Sequence, residues 1–337
     1  MTANKKKLTP RKVAATFLRA TLLAVLTSTI LFYIPTPYVL RAPGRTASAA
    51  PMVHILDQKT YPSYGQLLIT TVFIEKASAL ACLYSMMEPD AELVPSDGSS
   101  PIQERSDDGA DLPMAISHYT SQVAALRYLG YDVQLEPVGA RVTRVLPGTP
   151  AEGRLQPGDL VIRAGSTPIR TADDLRNAVR GSSGTMQLEL RRDDESLQLE
   201  LTPVRIEGSA RLGVTIETEE APERLPVAIE IESGNIAGSS AGLIFSLEIV
   251  DQLTPLDLTG GRVIAGTGTM SPDGRVYSIT GARFKAIAAE RSGASIFLCP
   301  REDLDEARSA QTGLNIVPVE SLAEAIQALQ PRPEASH

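Results

Sequence analysis

Lys285 is the residue of this sequence that most clearly suggests a chemical role. It is the only lysine between Ala77 and His337, whereas arginine occurs nine times from Arg211 onward. An arginine side chain stays protonated in proteins, but a lysine removed from water can lose its proton. Lys285 is therefore a candidate general base.

Ser240 is the candidate nucleophile for such a base. It lies in residues 238–242 (GSSAG), directly before the apolar helical segment 243–253. Backbone N–H groups at the start of a helix lack intrahelical partners and carry a positive partial charge, so an oxyanion could be held there. The candidate oxyanion residues are Gly238, Ser239 and Ala241. A serine N-cap without catalysis is the alternative interpretation.

Histidine is a poor candidate for the base. The chain contains only His54, His118 and His337, of which two precede the serine segment by a long interval and one ends the chain. A Ser-His-Asp arrangement is therefore disfavoured, and lysine remains the predicted base.

The elements that must position these residues form an α/β pattern over residues 207–331. Strands are predicted at residues 212–216, 227–231, 263–265 and 295–298. Helices are predicted to begin near Ala241, Ala282, Glu302 and Ser321.

Residues 131–206 have a different pattern, with short strands separated by turns such as residues 147–152 (PGTPAE) and 156–159 (QPGD). The order of strands, with one helix at residues 172–179, resembles a PDZ domain. Such a domain leaves a groove between a strand edge and a helix, into which an extended peptide is added as a strand. The resemblance implies a peptide ligand, and a simple spacer domain is the alternative.

Residues 45–130 are predicted to be a mixed α/β region. A strand is expected at residues 67–74, and helices are expected at residues 76–87 and 116–129. The intervening residues 88–112 are rich in Pro, Ser, Asp and Gly, which predicts an exposed loop.

The N-terminus predicts attachment to a membrane. A basic tail (residues 1–12) precedes the apolar segment 13–35, which is long enough for a span of roughly 20 residues. The basic cluster would keep the N-terminus in the cytoplasm and place the later domains, including the tail 332–337, outside it. A cleaved signal peptide and an amphipathic surface helix are the alternatives.

Composition limits the partners. Hydrophobic residues make up 43% of the 337 residues, and the formal net charge of −8 disfavours a nucleic-acid-binding role. Cys82 and Cys299 do not have the spacing of a metal or redox pair, and no cofactor is predicted. The absence of any Gly-Lys dipeptide excludes a Walker A loop, so no ATP step is expected.

Three segments together resemble the proteolytic domain of Lon. They are residues 238–242 (GSSAG), 265–276 (AGTGTMSPDGRV) and 279–289 (ITGARFKAIAA). With the preceding apolar and PDZ-like segments, the whole chain resembles the membrane-anchored, PDZ-containing Lon-like serine peptidases.

The resemblance implies roles for particular residues. The family's nucleophile falls on Ser240, its lysine on Lys285 and its supporting threonine on Thr267. The sequence departs from the family pattern at Ser239, where proline is usual, and at Thr269, where the family has glutamate. It also departs at Thr280–Gly281, where the family usually has Gly-Gly before the lysine, and it lacks the acidic residue often found just upstream of the nucleophile. The resemblance also implies a ring-like homo-oligomer.

The sequence thus predicts a multidomain α/β protein with an N-terminal transmembrane helix, a PDZ-like β domain with helices and a C-terminal Lon-like α/β domain. Its predicted function is that of an ATP-independent serine endopeptidase that recruits peptide or protein substrates. A catalytically silent PDZ-type scaffold at the cell surface is the alternative, favoured by the departures beside Ser240.

Overall fold

The computed structural model describes residues 10–96, 114–192, 195–206, 208–222, 224–234, 236 and 238–330, with the backbone alone for residues 10–17 and 114–116. The predictions for residues 1–9, most of the loop 88–112 and the tail 332–337 lie outside the described residues. The helices are α1 (Pro10–Tyr33), α2 (Ala79–Ser85), α3 (Met114–Tyr128), α4 (Ala172–Gly181), α5 (Gly242–Leu253), α6 (Ala282–Arg291), α7 (Leu304–Arg308) and α8 (Leu322–Leu329).

Strands alternate with these helices through most of the described chain. They are β1 (Pro35–Ser48), β2 (Val53–Ile55), β3 (Gln66–Ser78), β4 (Glu92–Pro95), β5 (Glu136–Val145), β6 (Leu160–Ala164), β7 (Thr167–Pro168), β8 (Met186–Arg192), β9 (Glu195–Leu201), β10 (Val204–Ile206), β11 (Ser209–Arg211), β12 (Val214–Ala221), β13 (Ile229–Ile231), β14 (Val263–Gly266), β15 (Thr269–Met270), β16 (Val276–Tyr277), β17 (Ile296–Pro300) and β18 (Asn315–Val319).

The chain divides into two compact units, of which the smaller comprises residues 1–44 and 72–104. Within it, β1 pairs antiparallel with β4, from Tyr38 opposite Pro95 to Arg41 opposite Glu92. The prediction of a loop over residues 88–112 is therefore wrong at residues 92–95. The short run Glu92–Pro95 pairs as a strand although its surroundings have loop composition.

Helix α1 covers the apolar run that predicted a membrane span. In the part of the chain that the structure describes, no helix has both the length and the apolar character needed to cross a membrane.

The larger unit, residues 45–71 and 105–337, contains a parallel sheet in the order β18-β17-β14-β3. Strands β14 (VIAG) and β17 (IFLCP) read as short apolar runs without polar alternation, as expected for strands covered on both faces. Alternate residues along them enter two cores. One core packs the sheet against α3, α5 and α8, and the other packs it against α6 and α7.

The predicted separate region at residues 45–130 is not separate in the structure. Strand β3 pairs in parallel with β14, from Gln66 opposite Val263 to Ile69 opposite Gly266. Helix α3 packs on α5 and contributes the run 123–126 to the same core. These segments therefore complete the C-terminal fold, although the PDZ-like segment separates them from it in sequence.

The PDZ-like segment forms a second sheet in the order β12-β5-β6-β8-β9, with α4 packed beside it. Helix α4 begins with a capping box, in which Thr171 and Asp174 each bond the other's backbone N–H. The sequence predicted a strand at residues 212–216 and placed it in the Lon-like domain. The observed strand β12 runs from Val214 to Ala221 and pairs with β5. An alternating apolar pattern predicts a half-buried strand, but it does not show which sheet that strand joins.

The buried acid Glu248 of α5 makes stability depend on pH. The side chain is 2% exposed, and burial raises its pKa from the ordinary 4.5 to about 7. Because the folded state binds this proton more tightly than the unfolded state, stability should fall as the pH rises from about 4.5 to about 7. We predict that Glu248→Gln removes this penalty and raises stability at neutral pH by roughly 2–3 kcal/mol.

Urea unfolding at several pH values measures this effect. The exposed Glu217→Gln is the matched control and should leave the profile unchanged. An unchanged or reduced stability of Glu248→Gln above pH 7 would show that Glu248 is not held as a buried acid.

Candidate active site

The serine segment sits at the start of helix α5. Gly238 has a φ of 92°, which glycine adopts without strain, and residues Ser239–Ala241 form a short 3-10 turn that leads into the helix. Gly242 allows a close approach, because a Cβ there would lie 2.9 Å from the Met270 backbone nitrogen. The start of the helix is therefore seated directly against β15.

Lys285, Thr267 and Ser240 are joined by a chain of hydrogen bonds. The Lys285 Nζ donates to Thr267 Oγ1 at 3.0 Å, and this hydroxyl donates to the Ser240 carbonyl oxygen at 3.1 Å. The Gly268 N–H donates to the same carbonyl at 2.9 Å. Lys285 is 1% exposed and Thr267 is fully buried. Three of the predicted site residues are thus brought together around one backbone carbonyl.

The position of Thr267 follows from the sheet. It comes immediately after β14, and its N–H donates to the Leu298 carbonyl of the neighbouring strand at 2.9 Å. Functional residues of open parallel sheets commonly lie at the carboxyl ends of the strands. The threonine hydroxyl is therefore fixed by backbone pairing on a central strand.

Lys285 lies in the first turns of α6, whose N-cap is Gly281 in the left-handed conformation. The preceding segment is pinned by Asp303, which accepts from Ser278 Oγ at 2.5 Å and from the Ile279 N–H at 2.8 Å. Burial raises the pKa of Asp303, while these hydrogen bonds and the charge of Lys285 lower it.

A second acid, Glu306, closes the start of α6. Its carboxylate accepts from the backbone N–H groups of Ala282 and Arg283, and burial raises its pKa against the effect of these bonds. Lys285 acts electrostatically on both Asp303 and Glu306. Negative charge on these acids would stabilise an ammonium formed at Lys285 after it accepts a proton.

The two adjacent serines have different surroundings. Ser239 is 3% exposed, and its Oγ lies 3.0 Å from Oγ1 of the buried Thr269. Ser240 is half-buried. Two of the positions at which the sequence departs from the Lon pattern, Ser239 and Thr269, therefore bond to each other. Ser240 is the more accessible serine.

Helix α3 supports the serine segment through hydroxyl groups that the sequence analysis missed. Ser117 Oγ donates to the Ser239 carbonyl at 3.1 Å, and Ser121 Oγ contacts the Gly242 carbonyl at 3.0 Å. These serines are one helical turn apart and both are buried. The spacing of these two serines at i and i+4, which places them on one face of the helix, was the available signal.

The predicted oxyanion residues Gly238, Ser239 and Ala241 lie at the start of this helix, as their sequence position implied. Among the described residues, no group of three or more His, Cys, Asp or Glu side chains could hold a metal ion. Cys82 and Cys299 are free thiols.

Comparison with known proteins identifies two domains. Residues 194–331 match the family model described as the Lon protease (S16) C-terminal proteolytic domain, and residues 141–192 match that of the PDZ domain. The chain therefore carries a PDZ domain followed by a Lon-type proteolytic domain, which confirms the resemblance found in the sequence. The Lon match overlaps β9 and β12, which the structure assigns to the PDZ sheet.

Curated relatives match parts of the chain. Lon protease of Buchnera aphidicola subsp. Schizaphis graminum is 32% identical over 139 residues, covering 40% of this chain and 17% of that protein. Serine protease HTRA1 of Xenopus tropicalis is 34% identical over 70 residues, covering 20% of this chain and 15% of that protein. A protein named putative zinc metalloprotease from Xylella fastidiosa is 28% identical over 181 residues, covering 49% of this chain and 40% of that protein. The chain thus spans 40% or less of the length of these relatives.

Solved structures match about a quarter of the chain. The PDZ domain of an SdrC-like protein from Listeria monocytogenes has a TM-score of 0.22 at 19% identity, covering 23% of this chain and 87% of that chain. The solution structure of the protein GtR34C from Geobacillus thermodenitrificans has a TM-score of 0.21 at 32% identity, covering 24% of this chain and 98% of that chain.

The Ser239–Thr269 pair should be energetically coupled. Ser239→Ala and Thr269→Val each leave a buried hydroxyl without this partner and should each cost about 1–3 kcal/mol of stability. The double variant should cost less than the sum of the two, by about 1 kcal/mol, in a double-mutant cycle measured by urea unfolding.

The exposed pair Thr185–Thr202, with Oγ1 atoms 2.8 Å apart, is the matched control. Thr185→Val and Thr202→Val should show no coupling, since water replaces the lost bond. If the losses of unfolding free energy from Ser239→Ala and Thr269→Val were additive, the two hydroxyls would not be energetically coupled.

Proposed function

We propose that this chain is a serine endopeptidase in which Ser240 is the nucleophile and Lys285 is the general base. The hydrogen-bond chain from Lys285 Nζ through Thr267 to the Ser240 carbonyl carries the proposal. A lysine that is 1% exposed has no ordinary surface role, and its amine is anchored beside the serine segment. Lysine is the base because it can lose a proton when removed from water.

The reaction has two halves. Neutral Lys285 takes the proton of the Ser240 hydroxyl while Oγ attacks the peptide carbonyl, and N–H groups at the start of α5 stabilise the oxyanion. The C–N bond then breaks, and the Lys285 ammonium gives its proton to the leaving amine. Water activated by the same lysine attacks the acyl ester, releases the acid product and restores the Ser240 hydroxyl.

Thr267 is a positioning residue in this proposal. Its hydroxyl accepts from Lys285 Nζ and donates to the backbone of Ser240, so one side chain sets the relation between base and nucleophile. The sheet fixes Thr267 in turn, which keeps this geometry in place before substrate binds.

The PDZ domain would recruit peptide segments at the edge of its sheet. Strand β12 is the last strand of that sheet among the described residues, and α4 lies beside it. Arg176 of α4 donates to the Ile216 carbonyl at 3.4 Å, which shows that this carbonyl faces the helix. An extended peptide could add to β12 between strand and helix and take over such contacts.

We also propose that α1 attaches the chain to a membrane, with the N-terminus in the cytoplasm and the two domains outside it. The basic tail and the apolar run support this orientation. Leu22, Leu26 and Ile30 of α1 are all more than half exposed, which is unusual for apolar residues of a soluble helix.

The proposed peptidase reaction would need no ATP and would act on flexible segments of its substrates. The homo-oligomer that the resemblance implies stays a prediction.

The substitution Lys285→Arg tests the central role of the lysine. It keeps the positive charge but removes the ability to deprotonate, so it should be as inactive as Ser240→Ala. The double variant should lose little more, because residues that act as one unit are strongly non-additive. Turnover of a short fluorogenic peptide is the measurement, with circular dichroism to confirm folding.

Arg283→Lys, on a half-buried neighbour of Lys285, is the matched control and should keep its activity. Near wild-type turnover of Lys285→Arg would overturn the Ser-Lys assignment.

Removal of the PDZ domain separates docking from chemistry. Glu136 and Ala221 are opposite each other in the β5–β12 pair, so the two ends of the domain are adjacent. We predict that residues 137–220 can be replaced by a short glycine linker. The variant should cleave a short peptide nearly normally but lose most cleavage of a protein substrate.

A deletion of residues 137–205, which ends at the boundary predicted from sequence, is the control. It leaves β12 without β5 and should fold poorly, as thermal unfolding would show. Equal loss of peptide and protein cleavage by the folded 137–220 variant would refute a docking role.

A further inference from the structure

Exposed large apolar side chains are concentrated in the smaller unit of the chain. This unit, residues 1–44 and 72–104, contains the following among the described residues: Leu18, Leu22, Leu23, Val25, Leu26, Ile30, Phe32, Tyr33, Ile34, Tyr38, Phe73, Leu83, Tyr84, Met86 and Met87. The larger unit is several times longer but contains fewer. Clusters of this kind mark surfaces that meet a protein or a membrane.

Helix α2 and the two residues after it form one part of this surface. Residues 77–87 contain no charged side chain, although a short helix on a water-facing surface normally carries a charged face. Met86 and Met87 are 81% and 86% exposed, and Leu83 and Tyr84 are about half exposed. We call these four residues the α2 patch.

The opposite side of α2 is tied to the chain that follows α1. The Ala79 N–H donates to the Ile34 carbonyl at 3.0 Å, and Thr36 Oγ1 donates to the Ala77 carbonyl at 2.6 Å. Cys82 Sγ lies 3.6 Å from Thr36 Oγ1. The α2 patch is thus held next to the C-terminal end of α1, where Tyr33 is also exposed.

Position and composition indicate what covers this patch. The end of α1 would lie at the boundary between lipid and water if α1 enters a membrane, and aromatic residues such as Tyr33 and Tyr84 favour that boundary. Methionine and leucine would enter the acyl region beside them. Acidic residues begin directly after the patch, with Glu88 and Asp90, and these suit the aqueous side.

We propose that the α2 patch inserts into the lipid surface beside α1, so that the chain meets the membrane through two elements. The proposal rests on the proposed membrane attachment and not on the Ser-Lys chemistry. It gives the smaller unit a function, which is to hold the extracytoplasmic part of the chain against the bilayer.

The chain contains no tryptophan, so a single introduced tryptophan reports its own surroundings. Full-length Met86→Trp would be reconstituted in vesicles of phosphatidylethanolamine and phosphatidylglycerol, with or without lipids brominated on the acyl chain. Tyr64→Trp is the matched control, because Tyr64 is also 81% exposed but lies in the larger unit. Vesicle flotation reports attachment separately, and peptidase turnover reports folding of the catalytic domain.

The expected result is a shift of Met86→Trp emission to shorter wavelength and strong quenching by brominated lipid, with bromine near the headgroup quenching more than bromine deep in the chain. Tyr64→Trp should show neither effect. Water-like, unquenched emission of Met86→Trp in vesicles that float with the protein would overturn the proposal but leave attachment intact. A blue shift without quenching would show that protein and not lipid covers the patch, and this would also overturn the proposal. Failure to float would reject both proposals.

Discussion

The burial of one lysine is the constraint on which the rest of this structure depends. A lysine that is 1% exposed needs hydrogen-bond partners, because an unpaired ammonium in the interior is strongly unfavourable. Thr267 supplies one partner at the end of the central strand β14, and the buried Asp303 and the more exposed Glu306 lie within electrostatic range. The Lys285 amine therefore constrains the positions of strand β14, helix α6 and the segment before α7.

The backbone of the serine segment, residues 238–242, is held in place by helix α3. Ser117 and Ser121 of α3 contact the carbonyls of Ser239 and Gly242. The backbone there is consequently set by contacts from a helix that lies far upstream in sequence. This explains why α3 belongs to the C-terminal fold even though the PDZ domain is inserted after it.

Two of the departures from the Lon pattern, those at Ser239 and Thr269, have a common physical meaning. Ser239 stands where proline is usual and Thr269 where glutamate is usual, and their hydroxyls form a buried contact at 3.0 Å. A hydroxyl pair of this kind satisfies both polar groups locally. The departures are thus mutually compatible and leave the Lys285–Thr267–Ser240 chain intact.

Local patterns in the sequence predicted most of the individual elements. The apolar runs at residues 263–265 and 295–298 are strands β14 and β17, and the helix predicted at Ala282 begins there. The grouping of elements was less predictable, since β12 joins the PDZ sheet and β3 joins the Lon-type sheet. Strand pairing over long sequence separations depends on three-dimensional packing, which periodicity does not encode.

The candidate site was predictable to the extent that residue type alone carries the signal. The lone lysine and the serine at a helix start were visible in the sequence, whereas the supporting Ser117 and Asp303 were not. Serine and aspartate are common at helix caps and turns, so nothing in their type marks them as part of a site.

The most direct measurement is identification of the residue modified by a fluorophosphonate probe, by peptide mass spectrometry, in the wild type and in Lys285→Arg. An activated serine reacts with such a probe, whereas an ordinary hydroxyl does not. We expect modification at Ser240 in the wild type and its loss in the folded Lys285→Arg variant. Modification of Ser239 instead, or no modification of a folded wild-type protein, would contradict it and favour a peptide-binding scaffold.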